Sequence, residues 1–223
     1  PQIDKLELTY FEATTLLAMN YFREMEVEVA VFETGLGGRL DATNIITPLV
    51  SVITSIGLDH TEQLGNTLAE IAFEKAGIMK INVPCVLGPM NPDAFEIIHE
   101  HAREKSVPVI KSDLLFRPTG IYVSSRGTQF NFDYNNMNWE VHLSMIGKQA
   151  AQNTSIALAA FNTQEEYSLS FQDQLKAVES VKIPGRLQVI SESPLVYYDV
   201  AHNFDGFEQL LNNLYAMYGN EKI

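Results

Sequence analysis

Three short segments of one stretch carry side chains able to do chemistry. Glu33 opens E-T-G-L-G-G-R-L-D-A-T-N (Glu33 to Asn44), His60 closes G-L-D-H, and Lys75 sits in E-K-A-G-I-M-K (Glu74 to Lys80). Glu33 directly follows the apolar run V-A-V-F, and His60 follows the β-branched run L-V-S-V-I-T-S-I. Open α/β sheets place their ligands beyond the carboxyl ends of strands. A carboxylate there is costly unless it is paired or bound to a cation; the plainer reading is an acid that caps a helix or joins a salt bridge. A lone histidine in a turn is commonly structural, but beside Glu33 it forms a pair that suits Mg²⁺ or Mn²⁺ better than structural zinc. Gly35, Gly37 and Gly38 allow close approach to a ligand or positive φ, although G-L-G-G is not a dinucleotide fingerprint. Arg39 can clamp a carboxylate or phosphate in bidentate fashion, or simply pair with Asp41. By spacing alone Lys75 reads as a surface lysine whose stem lies along apolar neighbours.

The elements that would position these groups alternate. Residues 10–25 have helical periodicity, with Phe11, Leu17, Ala18, Tyr21 and Phe22 able to share a face. Strands are expected at 27–32, 49–56, 83–88 and 107–110, and helices at 67–79 and 92–105. The run from Leu49 to Ile56 has the continuous apolar character of a strand covered on both faces. This order predicts an α/β fold with a mostly parallel sheet and flanking helices. From Leu115 to Ile146 the pattern changes to short segments of alternating polarity, a small antiparallel meander. Helices follow at 149–161 and 170–181. Pro184-Gly185 breaks the chain. Strands at 187–190 and 195–200 and a helix from Asp205 then read as the beginning of a second α/β domain. The expected domains are 1–183 and 184–223.

Composition excludes several classes. Lys and Arg total 15 against 28 Asp and Glu, a formal charge of −13. Nucleic-acid binding needs a basic footprint that this chain lacks, whereas a small anion needs only local positive charge. The one cysteine, Cys85 in V-P-C-V-L, reads as a core residue and excludes an internal disulfide. No run is long and apolar enough to span a bilayer and no signal peptide leads the chain. A soluble, cytoplasmic monomer is expected.

Seven linked segments, taken in order, resemble the folylpolyglutamate synthase/dihydrofolate synthase family of Mur-ligase-like, ATP-dependent amide ligases. Beside the three above they include L-T-Y-F-E (Leu8 to Glu12), M-I-G-K-Q-A-A-Q-N (Met145 to Asn153), P-G-R-L (Pro184 to Leu187) and D-V-A-H-N (Asp199 to Asn203). The resemblance implies a ligase that adds L-glutamate to folate or dihydropteroate, with ATP and two Mg²⁺ sites. It makes Glu33 and His60 Mg²⁺ ligands. Lys75 becomes a lysine that takes up CO₂ as a carbamate and so offers oxygen to a second Mg²⁺; these three are the implied catalytic groups. Asn153, Arg186, Asp199 and His202 become ATP contacts. Thr9, Tyr10, Phe11, Glu12, Leu40 and Asp41 line the folate site. The chain departs from the family at Ala150 (usually glutamine), Gln188 (commonly glutamate), Val200 (glycine) and Phe204 (proline).

The family's P-loop, G-T-N-G-K-G-S, is not in this sequence. In family order it lies upstream of Pro1, as does the loop bearing a metal-binding serine. A P-loop supplies the backbone cradle and the lysine for the β- and γ-phosphates. Truncation is therefore expected at this end, and at the C-terminal end too, and the fragment alone is expected to bind ATP weakly and not to turn over. Rival readings are another Mur-type ligase acting on cell-wall or cyanophycin substrates, and a non-catalytic folate- or nucleotide-binding protein. L-T-Y-F-E argues against the first. A metal-dependent hydrolase is a weaker third, with too few conventional ligands.

Overall fold

The computed structural model describes residues 7–219; the outer limits of the two expected domains, 1 and 223, lie outside them. The chain divides into two compact units. One is helical and comprises Pro1–Leu49, Leu58–Val83 and Asn91–Val107; the other holds Val50–Gly57, Pro84–Met90 and Pro108–Ile223.

Local signals start the helices of the first unit. Thr9 and Glu12 form a reciprocal capping box at the head of α1 (Tyr10–Glu24), which satisfies donors that a helix start leaves orphaned. A short α2 (Thr61–Leu64) follows His60, and α3 (Leu68–Ala76) begins on a second capping box, Thr67 with Glu70. α4 (Pro92–Glu104) has Asn91 as its cap and proline at its first position, where the missing N–H costs nothing. α3 and α4 pack through Ile71, Ala72, Ala76, Ala94, Ile98 and Ala102, all buried.

The second unit holds the sheets. β1 (Ser51–Ile53), β2 (Cys85–Leu87) and β3 (Val109–Lys111) are parallel in the order β1-β2-β3, with Ser51 opposite Cys85 and Cys85 opposite Val109. Cys85 is fully buried, and burial pushes its thiol up to about 12, so it is an inert core residue as expected. β4 (Phe116–Ser124), β5 (Gly127–Tyr134) and β6 (Met137–Leu143) form the antiparallel meander. Asn135 and Asn136, both at positive φ, turn β5 into β6, the backbone demanded by a tight two-residue hairpin. α5 (Lys148–Thr163) and α6 (Phe171–Ser180) complete a core centred on Phe132, which stacks on Tyr134 and Phe171. β7 (Gln188–Glu192) and β8 (Leu195–Tyr198) make an antiparallel hairpin, followed by α7 (Phe204–Tyr218). Among the described residues no helix is long and apolar enough to cross a membrane.

One expected strand is absent. Residues 27–32 join no ladder, and Val31 is 89% exposed. The β-branched sequence is suitable, but a strand exists only through a hydrogen-bonded neighbour, and among the described residues none pairs with this segment. The strand from 49–56 is also shorter than its apolar pattern, ending at Ile53.

Phe132 is the side chain the second core is built around. We predict that Phe132→Ala lowers unfolding stability by about 3–5 kcal/mol, measured by urea denaturation.

Candidate ligand site

The loop after Glu33 is organised by Asp41. Its Oδ2 accepts from the amides of Gly35 (2.8 Å) and Leu36 (3.0 Å), and its Oδ1 from the Thr43 amide (2.9 Å) and hydroxyl (2.6 Å). The carboxylate thereby closes the glycine turn and caps the 3-10 turn Ala42–Ile45. Partial burial works to raise the Asp41 pKa, but the bonds from Thr43, Leu36 and Gly35 outweigh it and hold the carboxyl below its ordinary value. Gly37 takes φ +66°, a conformation that disfavours any side chain.

Arg39 does not pair with Asp41. Its guanidinium meets Glu74 on α3, with Nε 3.2 Å from both carboxylate oxygens and Nη2 2.9 Å from one. It also lies over the Phe73 ring at 5.6 Å, within cation–π range. Sequence reasoning missed Glu74 as a partner; the usable signal was the acid directly before Lys75 in E-K-A-G.

Glu33, His60 and Lys75 all belong to the helical unit. Glu33 is exposed and follows no strand, so it is not the buried strand-end carboxylate expected from the sequence. His60 follows β1 in the chain and takes the left-handed region (φ 51°) at the start of α2. That backbone is uncommon for a residue other than glycine, and its neighbour Asp59 accepts from the His60 amide at 2.9 Å. Lys75 is half-buried in the last turn of α3. No hydrogen bond or ion pair joins these three side chains to one another, and among the described residues none of them makes an ion pair. Among the described residues no group of three or more histidine, cysteine, aspartate or glutamate side chains is placed to hold a metal ion.

Of the expected folate residues, Thr9 and Glu12 are engaged with each other, Glu12 Oε2 accepting from the Thr9 amide (2.8 Å) and hydroxyl (2.7 Å). Tyr10 and Leu40 are 87% and 80% exposed. Phe11 lies against Gly35 so closely that a Cβ there would stand 2.5 Å from its ring, which brings the start of α1 onto the glycine loop.

The expected ATP residues lie in the other unit. Asn153 is exposed on α5, within 3.4 Å of Gln149 Nε2. Asp199 laces two segments together: its Oδ2 accepts from the Leu187 amide and its Oδ1 from the Ala201 amide, both at 2.8 Å. His202 Nδ1 is 3.0 Å from the Val200 carbonyl, and Arg186 is exposed in the turn that Asp199 holds. A cavity of about 130 Å³ opens beyond the ends of β2 and β3, lined by Pro89, Ser112, Asp113, Pro118, Ile121 and Gln152.

Residues 2–161 match the Mur ligase middle domain. The chain is 36% identical to the dihydrofolate synthase/folylpolyglutamate synthase of Bacillus subtilis, over 96% of this chain and 51% of that protein. It is 34% identical to the folylpolyglutamate synthase of Lacticaseibacillus casei, over 95% and 50% respectively. A solved structure of a folylpolyglutamate synthase in complex with AMPPCP and folate superposes with a TM-score of 0.90 at 34% identity, covering 96% of this chain and 53% of that one. The apo L. casei enzyme gives 0.90 at 33% identity, over 96% and 53%. The chain belongs to the Mur ligase middle-domain family. Within it, these relatives set the chain in the folylpolyglutamate synthase family. It spans about half the length of the curated relatives it matches.

The lowered carboxyl of Asp41 has a defined pH consequence. A folded-state pKa below the unfolded value contributes stability that is present above the ordinary 3.8 and lost as pH falls through the folded value. We therefore predict that Asp41→Asn is less stable than wild type at neutral pH. The difference should hold down to the ordinary carboxyl range and shrink below it, as read from urea midpoints across pH.

Proposed function

We propose that this chain is the central part of an ATP-dependent ligase that adds L-glutamate to folates. The observation that carries the reading is the likeness, along almost the whole chain, to a folylpolyglutamate synthase solved with AMPPCP and folate. The Asp41-held loop beside the start of α1 supports it, because it offers exposed Tyr10 and Leu40 to a flat acceptor.

The reaction has two steps. An acceptor carboxylate oxygen attacks the γ-phosphorus of ATP, and ADP leaves with the formation of an acyl phosphate. The glutamate amine then attacks the acyl carbon, the C–O bond to phosphate breaks, and the amine gives up a proton as the amide forms. Glu33 and His60 would hold a magnesium ion, and Lys75, as a carbamate, would hold a second. Bound magnesium supplies positive charge against the triphosphate. Asn153, Asp199 and His202 orient the nucleotide, and Arg186 offers a planar fork to its phosphates. Thr9, Tyr10, Phe11, Glu12, Leu40 and Asp41 shape the folate side. Rate comes from position and fixed charge rather than from covalent catalysis by the protein. Residues 1–183 form the central domain and 184–223 open a second one, whose closure excludes water from the acyl phosphate. The whole enzyme works as a cytoplasmic monomer.

ATP-dependent incorporation of labelled glutamate by the complete gene product tests this, with dihydropteroate and tetrahydrofolate as parallel acceptors. Incorporation with either supports the ligase, and incorporation with both makes it bifunctional. No incorporation with either defeats it. Lys75→Ala is expected to lower kcat about 10²- to 10³-fold, the range for losing a group that stabilises developing charge.

A further inference from the structure

We infer that Arg39 and Glu74 are a positioning pair that fixes the glycine loop on the helix carrying Lys75. The inference rests on the ligase reading above, because it assigns the pair the task of holding the folate-side loop in register with the phosphate-side lysine.

Four ties join the same two segments. The Arg39 guanidinium bonds the Glu74 carboxylate through Nε and Nη2 at 3.2 and 2.9 Å. The Arg39 amide donates to the Glu74 carbonyl at 2.8 Å, so one residue is held by both side chain and main chain. Asn44 Nδ2 bridges the carbonyls of Arg39 (3.0 Å) and Gly77 (3.1 Å). Lys80 Nζ in turn donates to the Asn44 carbonyl at 2.6 Å. An isolated exposed ion pair contributes little. Here the fork-shaped contact adds geometry as well as energy, and the surrounding bonds fix both partners' main chains. Phe73 under the guanidinium restricts it further, and the Phe73 ring meets His101 edge-on at 6.2 Å.

The pair flanks the groups that matter. Arg39 directly precedes Leu40 and Asp41, and Glu74 directly precedes Lys75. Both Glu74 oxygens face the arginine, so this acid is committed to holding α3 and is not a free donor beside Lys75. Neither side chain is assigned a contact with reacting atoms, which makes these positioning residues. The ATP residues Asn153, Arg186, Asp199 and His202 hang on none of these bonds.

The test compares Arg39→Lys, Glu74→Gln and the exchanged pair Arg39→Glu/Glu74→Arg in the complete gene product. Lysine keeps the charge and loses the fork. Each single variant is expected to lower kcat/KM for the folate acceptor roughly 10- to 100-fold, the scale of a small misplacement. KM for ATP should stay within about twofold, and the exchanged pair should recover part of the loss. Amide exchange at Arg39 should quicken by about tenfold or more in Glu74→Gln. The proposal is overturned if acceptor kcat/KM is unchanged in the single variants. It is equally overturned if acceptor and ATP constants worsen together in step with thermal unfolding. Should wild type incorporate no glutamate, the ligase reading fails by itself. The Arg39 amide then still decides the brace: unchanged exchange in Glu74→Gln refutes it, and faster exchange upholds it.

Discussion

The helical unit depends on one close approach, the main chain of Arg39 against Gly77. A Cβ on Gly77 would stand 2.4 Å from Arg39 Cα, and one on Gly38 would stand 3.0 Å from the carbonyls of Glu74 and Lys75. Those carbonyls end α3, where a helix leaves acceptors without intrahelical partners. The Arg39 amide takes the Glu74 carbonyl, and Asn44 takes that of Gly77. The loop therefore serves as the C-terminal cap of α3, and any side chain at 38 or 77 would push it away. This explains why glycine is needed at those positions without invoking a bound nucleotide.

Several acids of this unit have defined structural partners. Asp41, Glu12 and Glu70 each accept from main-chain amides of a neighbouring turn or helix start, and hydrogen bonding holds all three carboxyls below their ordinary values. Glu74 is matched by Arg39. Glu33, His60 and Lys75 enter none of these arrangements.

Much of this was legible in the sequence because the signals were local. The capping boxes at Thr9 and Thr67, the proline that opens α4 and the alternating polarity of 116–143 each determine their element within a few residues. What failed was non-local. Residues 27–32 have strand composition, yet pairing decides a strand, and no composition shows whether a neighbour is present. Arg39 was open to Asp41 or to a ligand because its true partner, Glu74, is distant in sequence and near only after α3 packs on the loop. Asp41 and Asp199 were read as ligand contacts; the structure gives each a backbone role that sequence cannot display.

The departures from the family pattern near the C-terminal turn bear on whether that turn is kept. Gly185 takes φ +74° and Leu187 φ 43°, so the turn is demanding. Gln188 stands where glutamate is common, yet its Oε1 accepts from the Gly185 amide at 3.0 Å, a bond for which an amide oxygen suffices. Val200 adds bulk in place of glycine. Its side chain lies against Gly185, where a Cβ would be 2.7 Å away, and its amide donates to the Gly185 carbonyl at 2.9 Å. Phe204 replaces a proline at the start of α7, and Asn203 caps that helix by accepting from the Gly206 amide at 2.9 Å. Each change thus retains the hydrogen bond or contact that shapes the backbone. Asp199 can then hold the Leu187 amide, and with it the backbone at Arg186, in an arrangement defined by main-chain geometry rather than by the identity of the substituted residues.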